Sequence, residues 1–382
     1  MTSTALVSGA GVAGPSLAHW LHRMGWAVTV VEKAGAPRPG GQAVDFKGAT
    51  HRAVLERMGL LADVRARQTG GVDQVVVDAR GRRLTVIPGE FTGGEIEIRR
   101  GDLAALLHER TREHCEYVFG DGITSLDDTP DGVHVTFERA APRTFDLVVG
   151  ADGIHSAVRR LAFGPERDFV RHLGHYYALV DLGEQGEPTL YNEPGRMVAV
   201  GGHKAPAFFV FASAELTYDR YDADSQKRIL LDAYRGGGWR IPELMDQVPA
   251  ARSIHLDSIS RAHVDRYSTG RVVLLGDAAY GNTLGGFGSG LAVVGAYVLA
   301  AELARSTDHA SAFHRYETLM RPYARIARNA NAGPFLAPPS RFRMSLRNKM
   351  FNSPFLLRAM LRLTDRLATD IDLPDHPLHP AA

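Results

Sequence analysis

Residues 5–14, Ala5-Leu6-Val7-Ser8-Gly9-Ala10-Gly11-Val12-Ala13-Gly14, decide the fold. A strand-like run leads into a Gly-x-Gly-x-x-Gly loop, a helical pattern follows to Met24, and a second strand ends at Glu32. In such a unit the first glycine makes a tight turn, the second admits a pyrophosphate and the third lets helix and strand pack closely. Glu32 stands 18 positions beyond Gly14, where a carboxylate can accept hydrogen bonds from a ribose. The stretch predicts a Rossmann-type α/β domain that binds a dinucleotide.

A second glycine-rich stretch runs from Gly276 to Leu291, between strand-like residues 272–275 and the apolar segment 291–303. Its glycines have no Cβ atom, so a flat ligand can lie against the backbone. The N–H groups at the start of the following helix favour negative charge. Asp277, just past the strand end, suits a polyol or sugar hydroxyl. Taken alone, the stretch has an alternative interpretation as a loop that only turns the chain.

Two segments have a β-rich pattern that differs from the first 35 residues. Residues 72–98 alternate as antiparallel hairpins do, and residues 165–262 contain aromatic strand-like runs. The aromatic side chains either face a ligand or simply form core. We therefore predict a dinucleotide-binding domain in three parts (1–71, 99–164 and 263–332), a mostly antiparallel substrate sheet in two inserted parts (72–98 and 165–262), and a C-terminal helical region (333–382).

Two further charged positions follow strand ends. Asp152 and Gly153 form a turn after the buried strand 146–150, where ligands bind in open α/β sheets. Arg100 stands at a helix start, where its charge opposes the helix dipole. Arg100 therefore either reaches an anion or is simply solvated.

Composition narrows the class of protein. The 382 residues carry a net charge of +1, which gives no reason to expect a nucleic-acid partner. The single cysteine, Cys115, leaves no internal disulfide or cysteine-rich metal site. No signal peptide and no apolar stretch of roughly 18 residues is expected, so we predict a cytoplasmic protein without a transmembrane segment. The basic amphipathic pattern over 340–369 fits a helix packed on this chain or on a twin subunit, or a helix on a membrane surface.

Three motifs in this order resemble one family. They are Gly9–Gly14 with Glu32, the run from Asp146 to Arg159, and Gly276-Asp277 with its glycine loop. From about residue 4 to 330 the chain resembles the class A, single-component FAD-dependent aromatic hydroxylases of the para-hydroxybenzoate hydroxylase fold. Among these it is similar to the tetracycline-inactivating monooxygenases and to actinobacterial tailoring oxygenases. The stretch Gly40–Asp45 resembles the loop that lies along the flavin in the tetracycline-modifying members.

The resemblance implies roles for individual residues. Gly11 and Ala13 would contact the pyrophosphate, Asp277 would hold the ribityl chain, and residues 285–290 would face the N1/O2 edge of the flavin. The cofactor-binding residues expected on this basis are Gly9, Gly11, Val12, Ala13, Gly14, Glu32, Lys33, Gln42, Arg100, Asp152, Gly153, Asp277, Gly288, Gly290 and Leu291. The sequence identifies no catalytic side chain, and FAD would carry the chemistry. The residues expected near its ring are Gly285, Gly286, Phe287 and Gly288.

The loop after Asp277 departs from the family pattern. Family members commonly carry His where Tyr280 stands, followed by Pro-Pro and Gly-Gln-Gly. Here the sequence from Asn282 to Gly288 has no proline, which predicts a more mobile loop and an altered wall beside the flavin.

The implied activity is that of an FAD-dependent monooxygenase. NADPH or NADH would reduce FAD, O2 would add to form a flavin C4a-hydroperoxide, and oxygen would pass to an aromatic or polyketide-like small molecule in secondary metabolism or antibiotic modification. Two alternatives stay open: a reductase or dehydrogenase of the same fold without O2 chemistry, and a catalytically silent FAD-binding protein. The chain is expected to be a monomer or a homodimer.

Overall fold

The computed structural model of the protein describes residues 2–37, 41–92, 95–202, 207–285, 288–328, 330–358 and 373. The strands, in chain order, are β1 (Thr4–Ser8), β2 (Ala27–Glu32), β3 (Ala43–Phe46), β4 (Gln74–Val77), β5 (Arg83–Ile87), β6 (Ile96–Arg99), β7 (Glu116–Phe119), β8 (Ile123–Thr129), β9 (Gly132–Phe137), β10 (Arg143–Phe145), β11 (Leu147–Gly150), β12 (Val170–Val180), β13 (Thr189–Glu193), β14 (Arg196–Val200), β15 (Ala207–Ala212), β16 (Ile254–Ala262), β17 (Ser268–Thr269) and β18 (Val272–Leu274). The helices are α1 (Ala13–Arg23), α2 (Gly48–Arg57), α3 (Leu61–Ala66), α4 (Gly89–Thr92), α5 (Arg100–Thr111), α6 (Ala157–Ala162), α7 (Ala223–Ala233), α8 (Ile241–Gln247), α9 (Asp277–Tyr280), α10 (Gly288–Arg305), α11 (His309–Arg328), α12 (Gly333–Leu336) and α13 (Arg341–Phe351).

A six-stranded sheet forms the first layer, in the order β17-β18-β11-β1-β2-β7. Its strands run parallel from β18 to β7, and the short β17 is antiparallel at one edge. The central strand β1 pairs Leu6 with Val148 on one side and with Thr29 on the other. The apolar strands suit this position, because helices cover both faces of a parallel sheet. The predicted Rossmann-type domain is confirmed.

A seven-stranded sheet forms the second layer, in the order β16-β12-β15-β14-β13-β4-β5. All its pairs are antiparallel except β13 with β4, where Tyr191 stands opposite Val77. Two distant segments of the chain therefore build it, as the alternating patterns predicted. Within the predicted segment 72–98 the assignment is wrong for 96–98, since β6 pairs with β3 in a separate two-stranded sheet. The strands β8, β9 and β10 form another small sheet.

Helix α10 is the main apolar helix of the core. By length and composition it could cross a membrane, so the expectation that no apolar stretch reaches this length is corrected. All of its residues from Gly290 to Glu302 are buried in the protein. It packs between α1 and α11, and the Trp20 and Tyr297 rings meet edge to face at 5.2 Å. Its apolar composition is therefore that of a buried core helix.

Candidate cofactor and substrate site

The first glycine loop has the close packing that its spacing predicts. Gly9 has φ +107°, and a Cβ there would collide with the backbone of Ala151. A Cβ on Gly14 would collide with the carbonyl oxygen of Gly9, so only glycine lets α1 begin this close to the turn. The Gly9 N–H donates to the Val31 carbonyl at 2.7 Å, which holds the turn against β2.

Glu32, at the end of β2, is held beside this loop. One carboxylate oxygen accepts from the Ala10 N–H at 2.9 Å, and the other accepts from the Ala34 N–H at 2.8 Å. Each oxygen keeps a lone pair that a ribose hydroxyl can use. Lys33 is placed differently, since its ammonium pairs with Glu138 at 3.1 Å on the surface. The structure brings Glu32 to the loop but gives Lys33 a surface ion pair.

Arg100 links the loop to a neighbouring strand. The Arg100 N–H donates to the Gln42 carbonyl at 3.0 Å, and its Cβ lies 3.6 Å from the point where a Cβ on Gly41 would stand. Its guanidinium lies 3.7 Å from the corresponding point on Gly11. The side chain is exposed, yet it lies over the glycine that is expected to admit a pyrophosphate. This position favours the anion-binding interpretation of Arg100 over the solvated one.

Asp277 lies near the same loop, and we call the region bounded by Gly11, Arg100 and Asp277 the cofactor cleft. A Cβ on the preceding Gly276, at φ +64°, would lie 3.1 Å from the Ala13 Cβ, so α9 begins close to α1. Oδ1 of Asp277 lies 3.3 Å from the point where a Cβ on Gly288 would stand. Burial raises the pKa of the Asp277 carboxyl, and the charge of Arg100 opposes that rise. Asp277 and Arg100 therefore face one cleft.

The cleft is suited to FAD on the residues present. It carries bare glycine backbone where a phosphate must approach, a cation for the phosphate charge, and a carboxylate for the hydroxyls of a polyol chain. The residues that would hold the cofactor are Gly9, Gly11, Gly14, Glu32, Arg100, Asp277 and Gly288. When bound, FAD would supply the redox chemistry that no side chain of this cleft can supply.

The loop that departs from the family pattern is joined to β16. The Ala262 N–H donates to the Gly281 carbonyl at 2.7 Å, and the Thr283 N–H donates to the Ser260 carbonyl at 2.9 Å. The Asn282 side-chain amide donates to the Ala330 carbonyl at 2.9 Å. These bonds hold residues 281–283 against β16 and Ala330, and the expected mobility of the loop from Asn282 to Gly288 stays a prediction. Of the four residues expected near the flavin ring, Gly286 and Phe287 lie outside the described residues, as does Gly40 of the other loop.

Leu284 has an unusual backbone conformation. The Gly285 N–H closes a four-residue turn onto the Asn282 carbonyl at 3.0 Å, and Leu284 stands third in that turn with φ +58°. That position normally requires glycine or asparagine, and a left-handed leucine costs about 1–2 kcal/mol. Its side chain packs on the cluster of the seven-stranded sheet that contains Tyr177. Strained residues cluster where a ligand needs them.

The sheet face opposite Leu284 is aromatic. Tyr177 is buried on β12, and its hydroxyl lies 3.3 Å from Nε2 of His255. Burial raises the pKa of Tyr177, while the nearby Arg100 charge opposes the rise and the Asp277 charge adds to it. Tyr177 is part of the buried cluster against which Leu284 packs. Phe208, Phe335 and Phe91 pack against the same cluster, so these aromatic side chains form core, and a ligand-facing role for the aromatic runs stays a prediction.

Helices α12 and α13 cover this face. Arg347 is buried on α13, where its guanidinium donates to Oδ1 of Asn192 at 2.7 Å and to the Phe335 carbonyl at 2.9 Å. Burial lowers the pKa of Arg347 to about 10. In its described part, the basic C-terminal segment is therefore packed on its own chain.

The structure places Asp152 in a structural role. One oxygen accepts from the Ala157 N–H at 2.8 Å and the Val158 N–H at 3.2 Å, and the other accepts from the Ser156 hydroxyl. These bonds cap α6, and burial raises the pKa of Asp152. The expected role of Asp152 in binding the cofactor thus stays a prediction, and its carboxylate is already engaged. Gly153 has φ +80° and open space beside its Cα.

An ion cluster surrounds His155 that no sequence pattern predicted. Its Nδ1 lies 2.9 Å from Glu166 and its Nε2 lies 3.0 Å from Asp257 on β16. Burial alone would lower the pKa of His155, but the hydrogen bonds to Asp257 and Glu166 raise it overall. No local signal joins these three residues, because Asp257 is 102 positions away.

Comparison with known proteins agrees with this geometry. The sequence model of the FAD binding domain family matches residues 2–329. An uncharacterized protein, Rv1260, of Mycobacterium tuberculosis (strain H37Rv) is 40% identical over 332 residues, which is 82% of this chain and 88% of that protein. A flavin-dependent monooxygenase of Legionella longbeachae is 34% identical over 333 residues, 83% and 85% of the two chains.

Two solved structures with a similar fold are those of tetracycline destructases. The crystal structure of tetracycline destructase Tet(55) superposes with a TM-score of 0.81 at 32% identity, covering 98% of this chain and 99% of that one. Tetracycline destructase Tet(51) gives a TM-score of 0.82 at 27% identity with the same coverage.

Proposed function

Since the chain belongs to the FAD binding domain family, as a class A FAD-dependent monooxygenase, we propose that it uses NADPH or NADH and O2 to oxygenate an aromatic or polyketide-like small molecule. The observation that carries this proposal is the position of Leu284, which packs the loop after Asp277 against the buried aromatic cluster that contains Tyr177. A planar apolar substrate beside Leu284, at the edge of that cluster, would lie between the aromatic sheet and the cofactor cleft. The similarity to two tetracycline destructases supports a fused-ring substrate.

Each residue of the site has a task in this proposal that general chemistry explains. Arg100 would neutralise phosphate charge, and Asp277 would accept hydrogen bonds from a polyol chain. Leu284 and the aromatic face would exclude water and orient the substrate ring. Tyr177 and His255 offer polar atoms that could orient a phenolic or carbonyl oxygen of the substrate. No side chain is identified as a general base among the described residues, so we assign none.

The setting of the enzyme follows from the same proposal. Modification of an antibiotic or of a secondary metabolite needs a reduced nicotinamide supply, which suits the cytoplasm. A transient encounter with NADPH or NADH requires no second dinucleotide fold. We expect the protein to act as a monomer or a homodimer.

One set of measurements tests the proposed function. The purified protein is mixed with FAD, its visible spectrum is recorded, and NADPH oxidation, NADH oxidation and O2 consumption are followed with tetracycline and with simple phenols. We expect bound FAD, and O2 uptake that one of these compounds stimulates. A protein that stays colourless after FAD addition contradicts the proposal. Stimulated NAD(P)H oxidation without O2 uptake would identify a reductase instead, and bound FAD inert to every donor would identify a silent binder.

A further inference from the structure

His51 is a buried histidine beside the cofactor cleft whose ring has only one partner. The side chain is 1% exposed, on helix α2. Nδ1 accepts a hydrogen bond from the Lys47 N–H at 3.1 Å. Nε2 is buried and meets no hydrogen-bond partner in the part of the chain that the structure describes. Leaving a buried polar atom in this state costs about 1–3 kcal/mol.

The hydrogen bond at Nδ1 determines the chemical character of the free nitrogen. Burial lowers the pKa of His51 to about 4, so the ring is neutral near pH 7. A neutral imidazole has one N–H, and because Nδ1 accepts from Lys47, that proton belongs on Nε2. His51 therefore offers a hydrogen-bond donor that needs an acceptor.

The imidazole edge formed by Cε1 and Nε2 of His51 packs against Gly290, in the first turn of α10. Nε2 lies 2.7 Å from the point where a Cβ on Gly290 would stand, so any side chain there would displace the imidazole. The first N–H groups of α10, from Gly288 onward, have no acceptor within the helix. Gly288 in this turn faces Oδ1 of Asp277, which connects the turn to the cofactor cleft. The unpartnered Nε2 and the first N–H groups of α10 thus lie near each other, where a ligand with carbonyl oxygens would accept from both.

We propose that Nε2–H of His51 donates a hydrogen bond to a carbonyl oxygen of the flavin ring, which makes His51 a cofactor-binding residue. The inference rests on the proposed use of FAD, and it adds a side-chain donor to a turn that otherwise offers only backbone N–H groups. It also explains why a histidine with an unpartnered nitrogen is buried here, since the missing acceptor arrives with the ligand. A second consequence concerns the reduced flavin, whose negative charge would strengthen the same hydrogen bond.

The chain contains a matched control in His19. This histidine on α1 is also buried, its pKa is also lowered to about 4 by burial, and its Nε2 has no partner among the described residues. Its neighbours are Trp20 and Arg23 rather than the glycine loops. A general effect of removing a buried histidine should therefore appear at both positions, and an effect through FAD only at His51.

The test compares His51→Leu, His51→Gln and His19→Leu with the wild-type holoenzyme. Two quantities are measured for each protein: the dissociation constant of FAD, and the reduction potential of the bound flavin. Leucine removes the donor, whereas the glutamine amide can place an N–H near the position of Nε2. We expect His51→Leu to weaken FAD binding about 5- to 100-fold, the equivalent of one buried hydrogen bond. We also expect its potential to become more negative, by about 30 mV for each tenfold loss of preference for the reduced flavin.

Each outcome decides the inference. Recovery of affinity and potential in His51→Gln, with wild-type values in His19→Leu, supports it. Equal FAD affinity in His51→Leu and His19→Leu overturns it, and so does weaker binding with an unchanged potential, because the flavin ring would then not be the acceptor. If His51→Leu does not fold, a wild-type potential in His51→Asn, whose amide reaches only the Nδ1 position, overturns it. Failure of the wild-type protein to bind FAD would instead contradict the proposed function.

Discussion

The N–H of Thr283 donates to the carbonyl of Ser260 at 2.9 Å, and this bond joins the loop after Asp277 to the seven-stranded sheet. Ser260 lies on β16, which pairs with β12, the strand that carries Tyr177. The loop that would face the flavin is therefore positioned by the sheet that would face the substrate. We expect a substitution that shifts the loop to shift β16 as well, and the reverse, through this backbone contact.

Asp277→Ala is expected to weaken FAD binding about 10- to 100-fold, since a hydrogen bond to a charged group contributes about 1.5–3 kcal/mol. The carboxylate faces the cleft and Arg100, and no helix depends on it for a cap. Titration of the apoprotein with FAD, followed by flavin fluorescence, measures the change.

Asp152→Ala is the control for that prediction. Its carboxylate caps α6 through Ala157 and Val158, so we expect the free energy of unfolding to fall by about 1–2 kcal/mol. FAD affinity, measured well below the unfolding temperature, should stay close to the wild-type value. An equal loss of FAD affinity in the two variants would contradict this separation of roles and support a direct role of Asp152 at the cofactor.

Leu284→Gly is expected to be more stable than Leu284→Ala by about 1 kcal/mol, because only glycine adopts a positive φ without strain. Urea unfolding of the two variants measures the difference. The order should reverse at Ala104 within α5, where Ala104→Gly should lower stability by about 1 kcal/mol. Alanine as the more stable residue at both positions would show that Leu284 is not strained.

His155→Asn is expected to lower the free energy of unfolding by about 1–3 kcal/mol near pH 6, because the ring bridges Asp257 and Glu166. The folded pKa of His155 is raised, so its stabilisation is full below the unfolded pKa and disappears as pH rises through the folded value. The pKa values of Asp257 and Glu166 are lowered, so their share is lost as pH falls through their folded values.

The pH dependence therefore has a direction that urea unfolding can check. The difference between wild type and His155→Asn should be largest near pH 6 and smaller at pH 9. The exposed His314 supplies the control, since His314→Asn should change stability little at either pH. A His155→Asn effect that grows toward pH 9 would show that the imidazolium form is not the stabilising one.

Arg347→Met is expected to loosen helices α12 and α13 from the sheet, because it leaves Asn192 and the Phe335 carbonyl without their buried donor. We expect the free energy of unfolding to fall by about 2–4 kcal/mol and proteolysis after residue 337 to become faster. Arg343 is exposed on the same helix, so Arg343→Met should leave the free energy of unfolding and the rate of proteolysis unchanged. A double-mutant cycle with Asn192→Ala should show coupling of about 1–3 kcal/mol. Additive effects would contradict a direct bond.

Local patterns predicted much of the fold. The glycine spacing after β1 required a strand, a turn and a helix in close contact, since Gly14 allows no side chain against Gly9. The alternating runs of 72–87 and 165–262 predicted the second sheet for the same kind of reason, the period of two along a half-buried strand. Polar strands such as β8 were missed, because their exposed positions carry no apolar alternation.

Pairing partners could not be predicted in the same way. Residues 96–99 have a strand pattern, but nothing local states that β3 rather than β5 lies beside them. The carboxylate of Asp152 stands at a strand end as ligand-binding residues do, yet the packing turns it toward the N-terminus of α6. The apolar length of α10 fits a membrane span as well as a core helix, until α1 and α11 cover it.

The sequence by itself determined the dinucleotide fold, the family resemblance and the residues at the two ends of the cleft, because these depend on residue types at short, fixed spacings. Only the tertiary structure decided that Arg100 lies over Gly11, that Leu284 adopts a left-handed turn against the aromatic sheet, and that His51 packs an unpartnered Nε2 against Gly290 of α10. Those relationships join residues from different elements. They depend on how burial, hydrogen bonding and strain balance over the whole chain, which no local pattern records.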